Sequence, residues 1–177
     1  MVQRHPLFEV EDQMKFKVQH TFQKIALADY EKLYFDEEFN QGLCKAVKLS
    51  RDIIKLQSDE REYQRVVKVG PDRQLPKPMA KVLKTDRLFY EEHLNYTWGS
   101  MSGQWRTIPM VLSNKVSSEG SFSFQEVDGG VLRTVEGDIS VNVLGVGSVI
   151  EKYIVEDVKR SYDEAASFTQ SWIRSSM

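Results

Sequence analysis

The stretch GVLRTVEGDISVNVLGVGSVIEKYIVEDVKRSYDEAASFTQSWI, residues 130–173, decides the fold. Its first part, Gly130 to Val143, alternates as a strand does. Val131, Arg133, Val135, Ile139, Val141 and Val143 fall on one face. Gly137 interrupts that face and is expected to mark a curve or a bulge. From Ser148 to Ile173 the period becomes helical. Val149, Ile150, Tyr153, Ile154, Val158, Tyr162, Ala165, Phe168, Trp172 and Ile173 make a broad apolar stripe. Glu151, Lys152, Glu156, Asp157, Lys159, Arg160, Asp163 and Glu164 cover the rest. This helix exceeds the roughly 8–20 residues usual in globular domains, so it needs an extended surface to lie on. A sheet that runs into one long helix implies a curved sheet gripping that helix, with room for a ligand between them.

The connection, Leu144-Gly145-Val146-Gly147-Ser148, is not a dinucleotide loop. It lacks the GxGxxG pattern and a parallel strand–helix unit around it. Ser148 is expected to cap the helix, with Glu151 three residues on completing a capping box.

Working back along the chain, Asp128-Gly129-Gly130 reads as a hairpin turn, and Ser121 to Val127 as the strand before it. Gln104 to Leu112 is another strand, in which Pro109 argues for an edge position or a bulge. GSMSG is a turn. Leu88 to Trp98 alternates: Leu88, Tyr90, Glu92, Leu94, Tyr96 and Trp98 form the more apolar face, which is the expected core face. Glu91 and His93 fall on the other, solvated side. Arg51 to Gln57 and Arg61 to Val69 read as a hairpin joined by Ser58-Asp59-Glu60, with a short helix near Pro78 to Leu83. Ala26 to Phe35 and Asp36 to Leu49 carry apolar residues at helical spacing, and Asp36, Glu37 and Glu38 suit the start of the second helix. The first strand, Met14 to Phe22, alternates Met14, Phe16, Val18, His20 and Phe22 against Lys15, Lys17, Gln19 and Thr21. Residues 1–13 read as an extension, and 14–177 as one domain. The fold class is α+β: a strand, two short helices, about six strands and a long helix.

Composition is that of an ordinary soluble domain, with 41% hydrophobic and 28% charged residues and a formal charge of −2. That balance gives no global attraction to nucleic acid or to an anionic membrane. Lys77, Lys81, Lys84 and Arg87 form a modest basic cluster, compatible with transient membrane contact during ligand exchange. No run of 18 or more apolar residues suggests a span, and the N-terminus does not read as a signal peptide, so a cytoplasmic location is expected. The single cysteine, Cys44, is expected to be a buried structural thiol.

The strand MKFKVQHTF (14–22), the proline-marked LPKPMAKVL (75–83), Trp105, the turn Asp128-Gly129-Gly130 and GDISVNVLGVGSVIEKYIVEDV (137–158) together resemble the START-like, or Bet v 1-like, helix-grip superfamily. Within it the chain is most similar to the DUF2505 type. It departs from the usual pattern in having Val143-Leu144-Gly145 where proline is frequent before the last helix. The resemblance implies an antiparallel sheet wrapped around the C-terminal helix and a cavity between them. Relatives use that cavity for sterols, lipids, polyketides or other largely apolar molecules.

The residues expected to line such a cavity are Phe16, His20, Arg65, Tyr90, Tyr96, Trp98, Trp105, Phe122, Phe124, Arg133, Tyr153 and Trp172. An inward carboxylate beside Arg65 or Arg133 would anchor a polar head group. No catalytic motif accompanies them. His5, His20 and His93 lack metal-ligand spacing, and no metal or cofactor is implied. The leading expectation is therefore binding of an apolar small molecule or lipid, without catalysis. A cyclase or aromatase would need His20, Glu91, His93 or Tyr90 to converge inside the cavity. An interaction module without a small ligand would instead expose an apolar stripe or an open sheet edge.

Overall fold

A computed structural model describes residues 14–176 of the chain. The expected extension over residues 1–13, with His5, lies outside the described residues. The elements run β1 (Met14–Gln23), α1 (Leu27–Phe35), α2 (Glu37–Ala46), β2 (Leu49–Ser58), β3 (Glu62–Pro71), α3 (Lys77–Leu83), β4 (Tyr90–Thr97), β5 (Ser102–Pro109), β6 (Val116–Val127), β7 (Gly130–Val141) and α4 (Gly147–Ser175). The seven strands form one sheet in the order β1-β7-β6-β5-β4-β3-β2. Every neighbouring pair is antiparallel, so β1 and β2 are the two edges. This is the helix-grip architecture that the final third of the sequence implies.

Local chemistry sets the boundaries. Asp36 separates the first two helices because its carboxylate accepts from the Phe39 N–H at 2.7 Å, capping α2. Asp59 shapes the β2–β3 turn by accepting from the backbone N–H groups of Arg61 and Glu62. Gly129, at φ +72°, supplies the left-handed residue that the two-residue β6–β7 turn demands. On β1, Phe16, Val18 and Phe22 are buried while Lys15, Lys17 and Gln19 are exposed. On β7, Val131, Val135 and Ile139 lose all contact with solvent. The stripe of α4 lies against these two strands and against α2. Val149 is the exception in that stripe, at 62% exposed, whereas Val155 and Thr169 are buried.

Three local expectations are corrected. Pro109 sits neither at an edge nor in a bulge: it is the last residue of β5, which lies inside the sheet between β4 and β6, and it pairs with Tyr90. A proline lacks the N–H needed to continue the ladder, so it ends the strand there. Gly137 carries no bulge, because the pairing of β7 with β1 and β6 runs through it without a register shift. Its missing side chain makes room instead for the Trp105 ring. The bulge in the sheet is on edge strand β2, at Ile54.

The third concerns the start of α4. No side chain caps it, and Ser148 forms no capping box. Strand β7 stops at Val141, so Val143 belongs to the connection that follows. Glu151 turns back to that strand end, where its buried carboxylate accepts from the Val141 N–H at 2.6 Å. It ties the last strand to the helix rather than closing the helix on itself. Glu151→Ala, which leaves a buried donor without a partner, is expected to cost about 1–3 kcal/mol in urea unfolding, with Glu151→Gln costing less.

Candidate ligand-binding cavity

Helix α4 packs closely on β1 and β7, at one side of the sheet. Across the remaining strands a cavity of about 290 Å³ is left between sheet, α2 and α4. Its wall is mainly apolar: Leu33, Leu43, Val47, Val67, Leu88, Val116, Ile154 and Val158 all reach it. The volume is near the lower end of the roughly 300–1,000 Å³ of small-molecule sites.

Of the twelve residues expected to line it, six do: Phe16, Arg65, Tyr90, Trp105, Arg133 and Tyr153. The other six lie elsewhere. Tyr96, Trp98, Phe122 and Phe124 form a packed aromatic cluster with Phe35 and Tyr34, with ring centroids 4.5–6.5 Å apart. Tyr96 also donates to Glu31 at 2.6 Å. Trp172 packs on Phe39 and Phe168 over Gly42, between α2 and α4. These aromatics are filled core because α1 and α2 close that end of the sheet.

His20 stands at the β1–α4 rim. Its Nδ1 accepts from Arg133 at 3.3 Å, which leaves Nε2–H to donate to Asp163 at 2.8 Å. It is a structural link between strand and helix and does not reach the cavity. Glu91 and His93 pair with each other at 3.1 Å on the outer face, as strand alternation requires.

Several wall residues were not singled out for the cavity from sequence. Glu92 is one, although its phase with Tyr90 and Leu94 pointed inward. It accepts from Arg65 Nη2 at 2.8 Å. Burial opposes the charge on Arg65, but this carboxylate outweighs it and the guanidinium is held even more firmly protonated than usual. Arg51 is another: from β2 it reaches Glu37 on α2 at 2.5 Å, with its side chain 7% exposed. Arg133 lies between the rings of Phe22 and Tyr162, at 5.1 and 5.3 Å. Cys44 also reaches the wall, only half-buried rather than fully so, and burial pushes its thiol pKa up.

Tyr34, Tyr90 and Tyr162 border the cavity. Burial raises all three phenols above the usual range, and the Glu92 carboxylate adds to the effect. The neutral phenol is therefore favoured by folding. Below about pH 10 both folded and unfolded states keep these protons; above it the unfolded chain gives them up first, so stability must fall as pH rises. Spectrophotometric titration at high pH is expected to show these tyrosines ionising only together with loss of near-ultraviolet circular dichroism.

A mainly apolar cavity between a curved antiparallel sheet and one long helix is the arrangement of the START-like, Bet v 1-like helix-grip fold. A family model described as a protein of unknown function, DUF2505, matches residues 17–173. The chain belongs to that family. No curated protein matches it.

Solved structures share the fold at low identity. A protein from Thermus thermophilus, TTHA0849, is 8% identical, with a TM-score of 0.66 over 92% of this chain and 99% of that one. The Zhui aromatase/cyclase from Streptomyces sp. R1128 is 12% identical, with a TM-score of 0.61 over 91% and 94%. The major latex-like protein 151 from Panax ginseng is 10% identical, with a TM-score of 0.58 over 90% and 96%. No helix among the described residues is long and apolar enough to cross a membrane.

Proposed function

We propose that this protein binds a largely apolar small molecule between its sheet and α4, without transforming it. The observation that carries this reading is the cavity itself, a partly open space of about 290 Å³ walled mainly by aliphatic and aromatic side chains. A well-packed domain leaves few voids larger than a water molecule. A space of this size is too small for a diacyl lipid and suits a single chain or a few fused rings.

The likeness to an aromatase/cyclase raises a catalytic alternative. That chemistry needs an acid or base poised near neutrality over the substrate. Of the four groups considered for that role, only Tyr90 reaches the cavity, and burial holds its phenol above the usual range. The placement supports binding without turnover.

Titration with the neutral dye N-phenyl-1-naphthylamine tests the reading. Saturable fluorescence enhancement is expected, and Ala165→Trp, which pushes an indole into the cavity from α4, is expected to weaken binding about tenfold or more by filling the site. A folded wild-type protein that leaves the dye dark would sink the reading. Dye binding that ignores the tryptophan would place it outside the cavity. Native mass spectrometry of the purified protein, with identification of any co-purifying molecule, supplies the ligand's class.

A further inference from the structure

The cavity wall carries more guanidinium than carboxylate. Arg51, Arg65 and Arg133 line it against Glu92 and Asp157. Asp157 is already engaged by Arg73 at 3.0 Å and by Arg160. Arg133 is held by two aromatic faces and by His20.

Arg133 also keeps Nε without an acceptor, but it has no carboxylate partner among the described residues, and in this Arg51 and Arg65 differ from it. Each gives one nitrogen to a carboxylate and keeps others with no acceptor: Nη2 of Arg51, and Nε and Nη1 of Arg65. Both side chains are only 7% exposed, so water outside the protein does not serve them. A guanidinium cannot shed its charge in a protein, and buried donors normally find acceptors. Both line the cavity from the neighbouring strands β2 and β3, where Arg51 is paired with Val69 and Arg65 with Leu56.

Building on the binding reading above, we propose that the ligand is an amphiphile ending in one oxyanion of the carboxylate type. Its head group accepts from the free N–H groups of Arg51 and Arg65. Its apolar body lies along Val67, Leu88 and Ile154. An oxyanion fits better than a neutral acceptor because its hydrogen bonds to a guanidinium are charge-assisted, and therefore shorter and stronger. This assigns the two arginines as the specificity-determining residues of the site and leaves the rest of the wall to bind by burial.

The test is displacement of N-phenyl-1-naphthylamine by decanoate and by decan-1-ol, which share a chain and differ in the head group. It is run at about pH 8, where carboxylates are ionised. Wild type, Arg51→Gln and Arg65→Gln are compared, each checked for fold by circular dichroism. Decanoate is expected to displace the dye at a concentration about tenfold or more below that of decanol, the size of one charge-assisted hydrogen bond. In each variant the gap is expected to close because decanoate weakens while decanol holds.

Equal displacement by the two ligands in wild type overturns the proposal, leaving water as the partner of the arginines, and leaves the apolar-binding reading standing. A decanoate preference that survives in both variants also overturns it. Failure of dye, decanoate and decanol alike, followed by tryptophan fluorescence, removes both readings. If Arg65→Gln does not fold, Arg51→Gln decides alone, since its partner Glu37 is 40% exposed and tolerates the loss.

Discussion

Arg65→Leu is expected to lower stability by about 3–5 kcal/mol, because it strands the Glu92 carboxylate against an apolar wall. The pair is short, 2.8 Å, and the arginine side chain is 7% exposed, so little solvent screening relieves it. Glu92 is 28% exposed, which puts the expected loss toward the lower end. The double variant Arg65→Leu, Glu92→Leu is expected to recover most of the loss, since two apolar groups then replace the pair. Urea unfolding of the two single variants and the double measures the coupling. A loss under about 1 kcal/mol for Arg65→Leu would show the pair behaving as a surface contact instead. The double variant also separates the two roles of the arginine: it is expected to fold and to take up the dye while losing its preference for decanoate.

Gly120→Val is expected to be comparably damaging. Gly120 on β6 faces Gly137 on β7, and the Trp105 ring covers both. A Cβ at position 120 would collide first with the Glu136 carbonyl, which is backbone and cannot rotate away. Overpacking usually costs about 1–3 kcal/mol, and a clash with backbone in the middle of a sheet belongs at or above the top of that range. In a domain of this size a 3 kcal/mol loss corresponds to a fall of roughly 6–12 °C in Tm. Calorimetry checks it. A fall below about 3 °C would mean that the strands separate easily at this point and that the ring is not seated on the glycines.

Much of the fold was legible because it repeats a simple signal. The alternation of β1 and β4 put Phe16, Val18, Leu94 and Tyr96 inside, and all four are buried. The acidic run at Asp36 marked a helix start, and the cap is there. Phase alone also placed Glu91 and His93 outside, where they pair with each other. The misreadings share a cause. Pro109, Gly137 and Ser148 were read by what such residues do locally, whereas the sheet around them decided their roles. Gly137 looks like a defect until Trp105, from another strand, is seen to occupy its space.

The cavity was legible in part. Phase shows that Arg65 and Tyr90 face inward, but it cannot tell a hollow interior from a filled one. Tyr96 and Phe122 have the same inward phase as Tyr90, yet they pack into solid core because α1 covers that end of the sheet. Arg51 lies on an edge strand whose Ile53, Ile54 and Leu56 are exposed, so its neighbours gave no hint that it was inside. Only the approach of Glu37 from α2 explains it.

The sequence by itself determined the element order, the long terminal helix and which side of most strands is apolar. These follow from periodicity, which is set by the backbone geometry of each element and can be read one segment at a time. The tertiary structure alone decided that α4 packs on β1 and β7, that space remains beneath it, and that Arg51 from β2 and Arg65 from β3 both line that space. Those facts depend on distances between segments far apart in the chain, and no local pattern carries them.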